Sequence, residues 1–371
     1  MPATTAPGTT TVDERLRETP WIRRTLSRPE LGAVAGTILV FIFFAFAAGG
    51  SGMFTALGIV NFLEVSAQLG IIAVAACLLM IGGEFDLSIG SMIGAAGIII
   101  AIPAVQWGWP IWLCILLAFA VACLVGYVNG TIVIRTGLPS FIVTLAALFI
   151  LRGLTIGCTR WITGRTQVSG LGPLAEKDWL APLFYGDVGH GVFRWLADAG
   201  IILARPDGEP LVHGLPVSVV WWLVLTVVCA WILLRTRVGN WIFASGGDPV
   251  AARNVGVPVA RVKKGLFMFT ACAATLYACV QVLDAGSADV LRGLGKEFEA
   301  IIAAVIGGSL LTGGYGSVIG ASFGALIFGT VRQGIFFTGV NTDWFQVFLG
   351  CMLLIAVIFN NYIRRKVTRA R

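Results

Sequence analysis

The sequence predicts an all-α, polytopic transmembrane bundle of about ten helices, some short or broken, and three observations carry that reading. Hydrophobic residues make up 57% of the 371 positions and charged residues only 12%, about half the charged share of a soluble domain. Apolar runs close to the roughly 20 residues that a bilayer-spanning helix needs recur along the chain. Most of the Lys and Arg gather near the ends and in one central loop. The same composition excludes an ordinary soluble enzyme and a disordered chain. The 47 glycines keep no strict period, which excludes a collagen-like one.

Ten spans are expected at 31–49, 59–81, 89–105, 110–128, 139–157, 215–234, 265–283, 298–311, 316–333 and 344–361. The third, eighth and ninth are short or Gly-rich and are expected to be half-helices or bent. The first ends near Ala45-Phe46-Ala47, which resembles a signal-peptidase site. A polar segment of about thirty residues precedes it and the run exceeds a normal signal core, so a retained helix is expected.

Charge sets the orientation. Arg15, Arg17, Arg23, Arg24 and Arg28 precede the first span, and Arg364, Arg365, Lys366, Arg369 and Arg371 follow the last. Both termini are therefore expected in the cytoplasm, which ten crossings allow. The loop 235–264 carries Arg235, Arg237, Arg253, Arg261, Lys263 and Lys264 against Asp248 alone, and ten spans place it on the same side. The division is then a cytoplasmic segment 1–30, a membrane domain 31–361 and a basic cytoplasmic tail 362–371. The external loop 158–214 holds His190 and His213, and its stretch Val192–Ala204 is expected to form an amphipathic helix at the interface. The net charge of +7 thus reflects membrane anchoring, not nucleic-acid binding.

Four segments carry more than hydrophobicity. In Ile81-Gly-Gly-Glu84-Phe-Asp86-Leu-Ser88-Ile-Gly90-Ser91, two acids interrupt an apolar stretch. An ionised acid at mid-bilayer costs roughly 2.5–3.5 kcal/mol, so the pair needs a cavity or partners. Two readings stand: a polar site whose carboxylates accept from a hydroxyl-rich solute, or a turn in which Asp86 or Ser88 caps the next helix.

In Gly246-Gly-Asp248-Pro249-Val-Ala251-Ala252-Arg253-Asn-Val-Gly256, Asp248 suits an N-cap, Pro249 the first helical position and Gly256 the stop. A helix of about two turns is unstable alone. It either packs on its own bundle or docks into another subunit, with Arg253 helping to fix it.

The third segment runs from Asn129-Gly130 through Leu138-Pro139-Ser140-Phe141-Ile-Val-Thr144 to Arg152-Gly153. Pro139 starts a span. Thr144 reads first as bonding its own backbone and second as facing solute, and Phe141 as packing before stacking. The fourth, Ile306-Gly-Gly-Ser309 to Gly320-Ala321, echoes the glycine pattern at 81–95. Both segments follow even-numbered spans, so the echo alone does not establish inverted halves; its glycines more securely imply close helix contact.

Asn61, Glu64, Gln68, Gln281, Asp284, Glu297, Glu299 and Gln333 are scattered in or near spans. Those near outer ends either line a mouth or mark where helices leave the lipid. The eight cysteines form no C-x-x-C and sit mainly in apolar runs, as small hydrophobes do. There is no phosphate-cradling loop, H-E-x-x-H, G-x-S-x-G or haem motif. No cofactor or metal is expected, and no way to use chemical energy unaided is visible.

Taken together, the four segments resemble the permease family of bacterial ATP-binding-cassette importers for ribose, xylose, arabinose and galactosides. GGEFDLSIGS resembles the G-G-I-D-L-S-V-G-S signature, and LPSFIVTL followed by ILRGL resembles P-x-F-I-V-T-L. GGDPVAARNVGVPVARVK and AAVIGGSLLTGGYGSVIGA match the remaining two motifs in family order. The resemblance implies an inner-membrane permease working as a pair of copies, with a cytoplasmic ATPase that uses the ATP and a periplasmic sugar-binding protein. It implies a coupling helix built on Asp248, Pro249, Ala251, Ala252, Arg253 and Gly256. Glu84, Asp86, Ser88, Asn129, Phe141 and Thr144 are the pathway candidates. Glu84 departs from the family pattern, and the loop 158–214 is long for it. The alternatives are a permease for branched-chain amino acids or urea, a gradient-coupled carrier using Glu84 and Asp86, and a membrane-embedded enzyme, which lacks a catalytic constellation.

Overall fold

The computed structural model describes residues 29–205, 208–341, 344–352, 354, 355 and 358. The terminal basic residues lie outside the described residues. The face that carries 235–264 is therefore taken as cytoplasmic from its own charge.

Five helices alternate through the bundle: α1 (Pro29–Ala47), α2 (Ala56–Ile81), α3 (Ile89–Trp107), α4 (Ile111–Thr136) and α5 (Ser140–Thr163). Glycines in the left-handed region, Gly108, Gly137 and Gly164, end α3, α4 and α5. There, a residue without Cβ turns the chain at little cost. The outer segment holds β1 (Gln167–Ser169), α6 (Gly172–Ala175), β2 (Asp187–Val188), α7 (His190–Asp198) and β3 (Leu215–Pro216). The helix expected over 192–204 is thus the shorter α7, which Gly200 at φ 70° follows.

Next, α8 (Val217–Arg235) returns to the cytoplasmic face, where α9 (Arg237–Gly247) and α10 (Pro249–Asn254) lie. The chain crosses again as α11 (Val259–Asp284), forms β4 (Ser287–Asp289), and continues as α12 (Lys296–Ile306) and α13 (Val318–Phe337). On the outer face β1 pairs antiparallel with β4, Gln167 opposite Asp289 and Ser169 opposite Ser287. This ribbon ties the exit of α5 to the exit of α11.

Eight helices among the described residues are long and apolar enough to cross a membrane. They coincide with eight of the ten expected runs. Of the runs expected to be short, only 298–311 is so: α12 has 11 residues and spans about 16 Å. The run 344–361 is helical at 345–352 and lies partly outside the described residues. Apolar side chains such as Phe46, Phe149 and Trp161 are exposed around α1 and α5, the outer surface that hydrocarbon requires.

The architecture has an internal inverted relation. A 26-residue helix, α2, is followed by a re-entrant stretch and then by α3, which starts inside the bundle and runs outward. A second 26-residue helix, α11, is followed by a re-entrant stretch and by α12, which starts at the same depth and runs inward. A methyl group on Gly90 would overlap the Glu297 carboxylate and the Gly293 carbonyl oxygen, so the two N-terminal ends meet directly. α4 packs along α11 as α13 packs along α2. The glycine echo between 81–95 and 306–321 is not this relation. Both of its IGG turns lie on the cytoplasmic face, where Gly314 N–H donates to the Ile81 carbonyl oxygen (2.8 Å).

Candidate functional site

The segment 82–88 connects α2 to α3 without helix or strand. Gly82, Gly83 and Glu84 N–H still donate to carbonyls at the end of α2, whereas the backbone beyond Glu84 needs other partners in a membrane interior. The neighbouring helix α5 supplies two: Phe85 N–H donates to Ser140 Oγ (2.9 Å) and Leu87 N–H to Thr144 Oγ1 (3.0 Å). The Thr144 hydroxyl in turn donates to the Ser140 carbonyl oxygen four residues back (2.9 Å), so it does bond its own backbone.

Asp86 is 3% exposed. One carboxylate oxygen accepts from Ser88 N–H (2.8 Å) and from the Ser88 hydroxyl, and the other accepts from Thr270 Oγ1 on α11 (2.9 Å). Asn129 Nδ2 on α4 donates to Ser88 Oγ (3.1 Å). Asp86 thus holds the backbone N–H of Ser88, the residue before α3, and joins the entrance to α3 with α4 and α11 at one point, without bonding the first N–H groups of the helix itself. Glu84 lies nearer the cytoplasmic face, paired with Lys263 on α11. Thr270 follows Lys263 by seven residues, about 10 Å along the helix. Phe141, by contrast, is half exposed on the outside of α5. Five of the six pathway candidates thus come together, and Phe141 stands apart.

At the cytoplasmic face, Asp248 Oδ1 accepts from Val250 N–H (2.9 Å) and Ala251 N–H (3.0 Å), with Pro249 at the first position. The C-terminal end closes through Val257 N–H to the Ala252 carbonyl oxygen (3.0 Å), with Gly256 at φ 85°. The helix is six residues long, close to the expected two turns. Only Ala252 is buried, while Val250, Arg253 and Val255 are exposed.

A third feature lies in the outer half. A cleft of about 230 Å³ opens between α2, α11 and α13, lined by Asn61, Glu64, Gln68, Gln281, Asp284 and Gln333, among others. Gln281 Nε2 donates to Gln68 Oε1 (2.6 Å), and Gln68 Nε2 to Glu64 Oε1 (3.1 Å). Arg292 closes one side and donates to the Gln281 carbonyl oxygen (3.0 Å). His190 Nδ1 sits 2.9 Å from the His213 carbonyl oxygen on the far outer surface. Among the described residues, no three His, Cys, Asp or Glu gather where a metal would fit.

A profile described as "Branched-chain amino acid transport system / permease component" matches residues 58–357, nearly the whole membrane bundle. The chain belongs to this permease family. Among curated relatives of the permease, it is 30% identical to the xylose transport system permease protein XylH of Escherichia coli (strain K12), over 90% of this chain and 92% of that one. It is 29% identical to the fructose import permease protein FrcC of Rhizobium meliloti, covering 88% and 84%. The figure for the ribose import permease protein RbsC of Escherichia coli (strain K12) is also 29%, covering 83% and 87%. No solved structure matches the permease.

The cleft of this permease was only partly legible in sequence. Glu64 and Gln68 are four apart on one helix, and Gln281 and Asp284 three apart on another, so each pair shares a face. Nothing in the sequence says that these two faces meet, and Arg292 escaped notice in the re-entrant stretch.

Proposed function

We propose that this permease is the membrane subunit of an ATP-binding-cassette importer that carries a monosaccharide inward across the bacterial inner membrane. The relatives that carry xylose, fructose and ribose in their names support a sugar as cargo. The family description mentions branched-chain amino acids, which keeps a permease for such amino acids as the second reading.

The observation that carries the proposal is α10. A short helix, capped at both ends and presenting Val250, Arg253 and Val255 to solvent, is a docking element in search of a groove. In this reading Asp248, Pro249, Ala251, Ala252, Arg253 and Gly256 form the coupling helix that an ATPase grips. A sugar-binding protein meets the outer face, and a second copy of the chain completes the pathway. Glu84, Asp86, Ser88, Asn129 and Thr144 stand at the inner end of that pathway, and Phe141 faces the lipid or the second copy. ATP binding and hydrolysis shift the bundle between outward and inward access because partner contacts differ between the two states.

Reconstitution tests the proposal. Uptake of labelled pentose or hexose into proteoliposomes is expected only with the ATPase, the binding protein and ATP all present. Uptake by the permease alone, driven by an imposed proton or sodium gradient, would establish a carrier instead.

A further inference from the structure

We infer that the cleft between α2, α11 and α13 is a binding site for a single neutral, hydroxyl-rich solute, the outer station of the import route. This deepens the importer reading and rests on it. The recess opens at its outer end, where Asp284 and Ala285 are exposed, and its amides and carboxylates inside the bundle are met there by water or by a polar occupant.

The hydrogen bonds already made leave a defined set of groups for that occupant. Gln68 and Gln281 are held by one another and by Glu64, so their orientation is fixed before a ligand arrives. The Asn61, Asp284 and Gln333 side chains line the same space without a side-chain hydrogen bond to another described residue, Asp284 within electrostatic reach of Arg292. They supply acceptors at the carboxylate and both donors and acceptors at the amides. A sugar hydroxyl both donates and accepts, so vicinal hydroxyls satisfy such a wall from both sides.

Two further observations narrow the class. The Arg292 guanidinium reaches the Gln281 carbonyl oxygen (3.0 Å) and Ser287 Oγ (3.4 Å), and the cleft holds two carboxylates against this one cation. An anion therefore meets a surplus of negative charge and a donor already engaged. The apolar lining is only Val65 and Ala285, too little for the branched side chain of an aliphatic amino acid. The volume of about 230 Å³ lies below the roughly 300–1,000 Å³ of pockets for drug-sized ligands, which suits one small ring and not a disaccharide.

The test uses the complete reconstituted importer, with uptake of labelled pentoses and hexoses and ATP hydrolysis stimulated by loaded binding protein read in parallel. Gln281→Leu and Glu64→Gln each remove hydrogen-bonding capacity worth about 0.5–1.5 kcal/mol, so uptake is expected to fall about 2- to 10-fold with stimulated hydrolysis retained. Val65→Phe fills the space while leaving every polar group in place, and is expected to stop uptake with hydrolysis intact. Normal uptake in Val65→Phe overturns the site. ATP-driven uptake of leucine or valine in place of sugar, by the unsubstituted importer, overturns the solute class. Failure of the unsubstituted importer to couple ATP to any uptake sinks the importer reading itself and is distinct from either result.

Discussion

The Lys263 ammonium on α11 is bonded to the Glu84 carboxylate at the inner end of the re-entrant segment, with both side chains about seven-eighths buried. The two lie 179 residues apart in sequence, and their pairing anchors the break between α2 and α3 to the first turns of a helix that runs to the outer cleft. Removing one member of a buried pair strands the other charge and costs up to about 3–5 kcal/mol. Glu84→Gln and Lys263→Met are each expected to lower the thermal stability of the purified permease. The double variant recovers most of the loss. A double-mutant cycle on melting temperatures checks this, and additive losses would show that the pair does not interact.

Asp86 should behave differently, because its partners are neutral. In Asp86→Ala, the Ser88 and Thr270 hydroxyls can turn to other acceptors, and for Thr270 the Phe267 carbonyl oxygen lies within reach (2.9 Å). The Ser88 backbone N–H cannot turn, and leaving it unpaired in the interior costs about 1–3 kcal/mol. Asp86→Asn keeps one acceptor and is expected to fall between the two proteins in a detergent melt. Equal stability of all three would show that the Asp86 bond to the Ser88 N–H does not hold this turn.

What could be read from sequence and what could not divide along physical lines. Long apolar runs announce spans because a bilayer imposes a length on each, and α10 announced itself because its Asp248, Pro249 and Gly256 each act within a few residues. The half-length of α12 was legible as well, because its apolar run 300–306 is short between Lys296-Glu297-Phe298-Glu299 and Gly307-Gly308. The helix α9 was hidden because 237–247, in the same loop, was read only for its charge and its closing glycines. The Asp86 knot needed Thr270 and Asn129 from distant helices, and no local pattern reports which helices touch.

Close backbone contact behind α10 yields a third prediction. At the cytoplasmic face a Cβ on Gly246 would overlap the Ile81 carbonyl oxygen, and one on Gly313 would sit 2.7 Å from Gly83 Cα. The ends of α2 and α9 and the turn before α13 thus meet with no room for a methyl group, directly behind the helix α10 that follows α9. Gly246→Ala is expected to cost about 1–3 kcal/mol through forced separation and to depress ATP-coupled uptake. Gly153→Ala on α5 is the control, since nothing lies within 4 Å of its Cβ position, and it should leave uptake unchanged. Equal uptake in both variants would show that the contact transmits nothing.

The docking assignment of α10 makes the sharpest demand, because it separates function from folding. Val250 is 63% exposed and Val255 80% exposed, so neither contributes much to the stability of the isolated permease. Arg253 is likewise exposed, whereas Ala252 is the one residue of the helix buried against the bundle. Val250→Asp combined with Arg253→Glu places two acids on the face offered to an ATPase. It is expected to leave expression and melting temperature within error while abolishing ATP-driven uptake and co-purification of the ATPase. Asp248→Ala acts on the helix itself: it removes the acceptor for two backbone N–H groups and costs about 1 kcal/mol. Uptake in that variant should be reduced without being lost, since Pro249 still presets the first turn. Normal uptake by the doubly acidic variant would mean that the ATPase grips some other part of the cytoplasmic face.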